Sequence, residues 1–168
     1  MSHKIPVSVL VVIHSADLQV LLIERADKPG FWQSVTGSID TLGEPLIATA
    51  ARELFEETGI VASADADVSD ACAGVADAAR VVQVLDWRLS NTYEIFPVWR
   101  HRYAPGVTQN VEHVFSVCVP RDSVITLSPR EHLRYAWMPY LEAADRCFSS
   151  SNAEAILQLP MRVTAAGA

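Results

Sequence analysis

Between Glu44 and Ile60 the chain reads Glu-Pro-Leu-Ile-Ala-Thr-Ala-Ala-Arg-Glu-Leu-Phe-Glu-Glu-Thr-Gly-Ile, with Gly37 a short loop upstream. A glutamate, a seven-residue spacer and then Arg52-Glu53-Leu54-x-Glu56-Glu57-x-Gly59-Ile60 concentrate acidic groups on one segment. A helix is expected there. Proline is welcome at a first helical position, where its missing donor costs nothing, so Pro45 marks the start. Gly59 can take the left-handed conformation that closes a helix. A helical period puts Glu53, Glu56 and Glu57 within roughly 100° of arc. Ile47, Ala50, Ala51 and Leu54 fall on the adjoining arc and form the packing face.

Like charges four apart, here Glu53 and Glu57, destabilise a bare helix. A divalent cation reverses that sign, and oxygen ligands of this kind suit magnesium or manganese. Three nearby glutamates ordinarily mean a solvated acidic face. Here the glycines, the arginine and the glutamates fit one long pattern at fixed spacing, which a solvated face does not require.

That pattern, from Gly37 to Ile60, resembles the Nudix box, the loop-helix-loop signature of hydrolases that cut phosphoanhydride bonds with magnesium. Ser38 stands where many members have a second glycine. Four further segments are similar to the branch of the family that acts on dihydroneopterin triphosphate in folate biosynthesis. They are Phe31–Ser38, His101–Thr108, Glu131-His132-Leu133 with Tyr135 and Trp137, and Ser151-Asn152. Ser38 belongs to the first of these. The similarity runs from about Pro6 to the last helix, and residues 62–79 read as a variable insertion.

The resemblance implies an α+β fold, an α/β/α sandwich around a mixed, curved β-sheet, in one domain spanning residues 1–168. It implies Mg2+, with Mn2+ as a substitute, held by Glu53, Glu57 and Glu131. The catalytic set is then Glu53, Glu56, Glu57 and Glu131. Glu131 and Glu53 rank ahead of Glu56 for taking a proton from water. Substrate contacts are implied at Lys4, Arg25, Thr36, Tyr93, Glu94, Ile95, Phe96 and Ser149. Lys4 and Arg25 would neutralise triphosphate oxygens, Arg25 with a fork geometry suited to phosphate. Tyr93 and Phe96 would flank a flat ring, and Glu94 would accept its N–H donors. Arg52 and Glu44 would orient the helix carboxylates without touching substrate. His101 and His132 are read as structural.

The implied reaction is magnesium-dependent hydrolysis of dihydroneopterin triphosphate to its monophosphate and pyrophosphate. A general nucleoside triphosphate pyrophosphohydrolase is the alternative. A non-catalytic nucleotide-binding module is a weaker one, because all three box glutamates are present.

A length of 168 residues suffices for one domain with a sizeable core. Half the residues are hydrophobic and a fifth charged, as in soluble globular chains. A net charge of -7 argues against a nucleic-acid polymer as partner and leaves a small pterin or nucleoside triphosphate. Cys72, Cys118 and Cys147 form no ligand pattern and read as reduced thiols of a cytoplasmic protein. No secretory leader is visible, and Val7–Ile13 is too short to span a membrane.

The elements that must carry these groups can be sketched. Val7–Ile13 and Val20–Ile23 form a hairpin, and Phe31–Gly37 runs into the box loop. Val81–Leu89 and Tyr93–Trp99 read as strands around a Ser90-Asn91 turn, followed by a strand over Val111–Val119. Tyr140–Cys147 and Asn152–Leu159 read as helices, the first starting beyond Pro139.

Overall fold

Val7–His14 (β1) is almost continuously apolar, and it becomes the centre of the sheet because both its faces can be buried. β8 (Gln109–Cys118) runs parallel to it along its whole length on one edge. The other edge is shared by two antiparallel partners: β4 (Val35–Ser38) along Ser8–Val11, and β2 (Gln19–Arg25) at Ile13 and His14. β3 (Trp32–Gln33) and β9 (His132–Pro139) flank β2, and β7 (Leu85–Glu94) flanks β8, giving seven strands. A separate parallel pair joins β5 (Ala62–Ser63) to β6 (Val82–Gln83). These coordinates are a computed structural model that describes residues 2–64 and 82–166. Of the expected insertion at 62–79, only 62–64 fall within them.

Strand alternation sorts β1 into two cores. Val9, Val11 and Ile13 pack with Leu21, Ile23, Val35 and Phe115 beneath Ala50 and Leu54 of α1 (Leu46–Thr58). Leu10 and Val12 pack with Leu22, Trp32 and Val114 beneath α2 (Tyr140–Arg146), α3 (Ser150–Leu157) and α4 (Leu159–Ala166). Among the described residues, one helix on one face and three on the other make the α/β/α sandwich expected from the sequence.

Several local expectations change. Pro45 caps α1 in an extended conformation, and the helix begins at Leu46, one residue later than proposed. The turn expected at Ser90-Asn91 is absent. β7 runs straight through those residues, and its irregularity lies between Asp86 and Ser90, where Arg88 takes a φ of 51° and donates its N–H to Asp86 at 2.8 Å. This is a β-bulge: four steps from Asp86 to Ser90 oppose two from Phe115 to His113, so it absorbs two extra residues without reversing the chain. The strand expected over Tyr93–Trp99 stops at Glu94, and a 3-10 helix takes over at Pro97–Arg102, where proline fits a first helical position. β9 was not foreseen as a strand. Its exposed side carries Leu133 and Tyr135, so no clean polar and apolar alternation marks it.

Burial pushes the free thiol of Cys147 up to about 12, and Cys72 lies outside the described residues. Among the described residues no helix is long and apolar enough to cross a membrane.

The helical layer is tied to the box loop through one buried amide. Asn152 on α3 accepts the Ser34 N–H at 2.8 Å and donates to the Ser34 hydroxyl at 2.9 Å. Replacing it by alanine leaves a buried main-chain donor unpaired. Asn152→Ala should therefore lower unfolding free energy by about 2 kcal/mol. A urea midpoint unchanged at constant m-value would show that this tie is not structural.

Candidate active site

The acidic face of α1 meets the sheet at Gly37. A Cβ built on that glycine would lie 1.8 Å from the Glu53 carboxyl carbon, so only glycine lets Glu53 lie down against β4. At the far end, Gly59 closes the helix with a φ of 75° and donates its N–H to Phe55 at 2.8 Å.

Arg52 organises the carboxylates around it. It donates to Glu53 at 2.8 Å, to Glu44 at 3.3 Å and to the Ser38 carbonyl at 3.1 Å, and it pairs with Glu56 at 3.5 Å and Asp40 at 3.4 Å. Glu44 also accepts the Asp40 N–H at 2.7 Å, which folds the loop back onto the start of α1. Burial pushes the Glu53 carboxyl up to about 7, against the pull of Arg52.

Glu57 is the most enclosed of the set, 6 % exposed, and its Oε2 has no hydrogen-bond partner among the described residues. Burial first, and then the charges of Glu53 and Glu131, raise its pKa well above the carboxylate range. Glu131 and His132 come from the far side of the sheet. The pairing of β2 with β9 slips between Glu24 and Arg25, so His132 lies opposite Arg25 and turns inward while Leu133 turns out. The Glu131 carbonyl accepts the Ala26 N–H at 2.8 Å, pinning that turn. Glu57, Glu131 and His132 then offer donor atoms all within 4.8 Å of one another. Burial holds His132 down to about 4, so its ring is neutral and its lone pair is open to a metal. A buried carboxylate with an orphaned oxygen beside further acidic and imidazole donors fits a divalent cation, which removes the repulsion at its source.

Two cavities meet at this point. One, of about 560 Å³, is walled by Glu53, Glu56, Glu57, Glu131 and His132. The other, of about 430 Å³, is walled by Tyr93, Phe96, Trp99, Phe148 and the α3 start. Lys4, Arg25, Thr36 and Arg102 border both. Phe96 and Trp99 meet edge to face at 5.4 Å, and Phe148 stands 6.1 Å from each. An acidic chamber joined through cations to an aromatic slot suits a phosphorylated ring compound held with a metal.

The chain matches the NUDIX domain family over residues 4–159. It belongs to the Nudix family. It is 41 % identical over 157 residues to the dihydroneopterin triphosphate diphosphatase of Escherichia coli (strain K12), covering 93 % of each protein. Identity to the enzyme of the same name in Haemophilus influenzae is 38 %, covering 93 % of this chain and 88 % of that one. The solved structure of the E. coli dihydroneopterin triphosphate pyrophosphohydrolase superposes with a TM-score of 0.74 at 38 % identity, covering 94 % of this chain and 97 % of its own. A divalent metal is general in Nudix hydrolases, and the acidic chamber is where one would sit here.

The Nudix box residues and the late glutamate converge, and all eight residues expected to contact substrate line the aromatic cavity. Their circumstances differ. Arg25 already spends its fork on Asp27 at 2.7 and 2.8 Å, so phosphate would have to compete for it. Glu94 is exposed at the rim and paired with Arg100 at 3.1 Å. Glu56 points more than half into solvent. Glu53 is not one of the three converging donors, although it faces the same chamber.

Four residues escaped the sequence reading. His132 was taken as structural, and its adjacency to Glu131 was the available signal. Arg102 lay inside the His101–Thr108 segment of the resemblance without being singled out, and Trp99 and Phe148 carried no signal, because only the 3-10 helix and the α3 approach bring them to the cavity.

Glu53 is the flexible party in its contact with Gly37, so a methyl there displaces the carboxylate and not the backbone. Gly37→Ala should cut turnover by about a hundredfold while the thermal midpoint moves little. Normal turnover would mean that the position of Glu53 against β4 is unimportant.

Proposed function

We propose that this Nudix protein hydrolyses dihydroneopterin triphosphate to dihydroneopterin monophosphate and pyrophosphate, in folate biosynthesis, as a single domain using Mg2+. The observation that carries the reading is the shared wall: an aromatic slot and an acidic chamber meet at Lys4, Arg25 and Thr36. A ring in the slot would extend its triphosphate past those cations into the chamber. The identity to two diphosphatases of that name over almost the whole chain supports the same substrate.

Glu57 and Glu131, with Glu53 beside them, would hold the metal; Mn2+ is an acceptable substitute for a site of this oxygen chemistry. When bound, the ion neutralises phosphate oxygens and acidifies water. The chain's own residues do the rest. Lys4 and Arg25 would offset the charge of the phosphate tail, and Thr36 lies between the two chambers. Ile95, Tyr93 and Phe96 would bound the ring, with Ser149 at the opposite wall. The oxygen of water joins one phosphorus of the anhydride, the P–O bond between the α- and β-phosphates breaks, and the displaced phosphate oxygen keeps the electron pair. A carboxylate at the chamber takes the water's proton. Glu131 and Glu53 stand ahead of Glu56 in that role, because Glu56 faces solvent. Arg52 and Glu44 hold the helix carboxylates in place through the contacts described above. The reaction suits a cytoplasmic site, since a triphosphate does not cross a bilayer unaided.

The alternative, a general nucleoside triphosphate pyrophosphohydrolase, differs in preference and not in chemistry. Product analysis after incubation with dihydroneopterin triphosphate and Mg2+ should give pyrophosphate and the monophosphate. Stepwise release of orthophosphate, or higher kcat/KM on deoxynucleoside triphosphates, would contradict the proposal. Glu57→Gln should lower kcat by about two to three orders of magnitude with the fold intact. Glu131→Gln should weaken metal dependence, and an unchanged metal titration would remove Glu131 from the site.

A further inference from the structure

One carboxylate in the aromatic cavity has no task in the phosphate chemistry. Glu112 sits on β8 two residues beyond Asn110, on the same face of the strand, and lines the cavity. It is 5 % exposed. One of its oxygens accepts the Ser151 hydroxyl at 2.9 Å. The other has no hydrogen-bond partner among the described residues, and no lysine, arginine or histidine there pairs with the group. Burial raises its pKa, with Ser151 in partial opposition.

The neighbours are fixed and do not supply the missing donors. Asn110 commits its amide N–H groups to Ser8 at 2.7 Å and Tyr93 at 3.1 Å. That holds the Tyr93 ring beside Glu112, whose charge is the second cause, after burial, of a Tyr93 pKa pushed up to about 12. Phe96, Trp99 and Phe148 complete an apolar slot. A buried carboxylate short of donors in such a slot is costly unless a ligand completes it.

We propose that Glu112 determines ring specificity by accepting the two adjacent N–H donors of a 2-amino-4-oxopyrimidine edge, the edge shared by pterins and guanine. This rests on the ring-plus-triphosphate reading above and names the group that reads the ring. Two parallel N–H donors meeting one carboxylate form a charge-assisted bidentate pair. Hypoxanthine lacks the amino group and can make only one of the two bonds. Adenine presents an acceptor where the ring N–H is needed. The role assigned to Glu94 from the sequence passes to Glu112, because Glu94 lies at the rim and is engaged by Arg100.

The test is binding without turnover. Guanosine and inosine, which differ only in the 2-amino group, and neopterin, which shares the guanosine ring edge, all lack phosphates and are titrated by calorimetry in EDTA. Wild type should bind guanosine about ten- to hundredfold tighter than inosine. Glu112→Gln presents a donor to a donor and should abolish that gap and weaken neopterin by a similar factor, while inosine changes less than threefold. Ser151→Ala, which frees the carboxylate from its one tether, should narrow the gap without erasing it, and serves if Glu112→Gln does not fold. Equal affinity of wild type for guanosine and inosine, no measurable binding of guanosine or neopterin, or an equal loss on all ligands in Glu112→Gln would overturn the assignment. Pyrophosphate release from dihydroneopterin triphosphate is judged separately. Its absence beside an intact guanosine/inosine gap refutes the substrate and spares Glu112, and its presence without a gap does the reverse.

Discussion

Glu57 is a carboxylate buried against two others with one oxygen unpaired among the described residues, and the Thr36 main chain and the Arg25 charge offset that only in part. Desolvation and mutual repulsion both disfavour its charge, and both act in the same direction. The surrounding structure reads as a set of devices that tolerate this cost until a cation arrives. Arg52 spreads one positive charge over Glu44, Glu53, Glu56 and Asp40. Gly37 yields the space into which Glu53 folds. His132 stays neutral, adding a donor without adding charge of either sign.

The same constraint explains how the sheet is used. α1 supplies a rigid row of carboxylates, but a helix face cannot surround an ion by itself. The opposing donors come from the start of β9, re-aimed by the slip in its pairing with β2. On the other side, the bulge in β7 and the 3-10 helix after Glu94 turn Phe96 and Trp99 toward α3. Lys4, Arg25 and Arg102 lie where the two regions meet, so cationic side chains separate the acidic chamber from the apolar one. Each chamber has chemistry that the other would spoil. Carboxylates would repel a phosphate tail without the metal, and aromatic rings would leave it without counter-charge.

The metal-side half of this was readable from residue order, because α1 is local structure. Its period, its proline entry and its glycine exit are written in consecutive residues, and Gly37 is near enough in sequence to fall in the same pattern. Strands at the centre were readable too, since β1, β2 and β8 are apolar runs. β7 was read as two strands instead of one and β9 was not foreseen, because a bulge breaks the period of two on which such reading depends, and exposed Leu133 and Tyr135 blur it further.

Residue order by itself determined the acidic helix, its closing glycine, the strands of the core and, through resemblance, eight positions that line the aromatic cavity. Tertiary structure alone decided which acid reads the ring, which histidine faces the metal chamber and which arginine remains little engaged beside Arg25. Glu112, His132 and Arg102 are ordinary in sequence, and each gains its role from neighbours more than a dozen residues away: Ser151, Glu57 and the Asp27–Arg25 pair. Long-range contacts set burial and hydrogen-bond supply, and those two quantities turn a common side chain into a functional one.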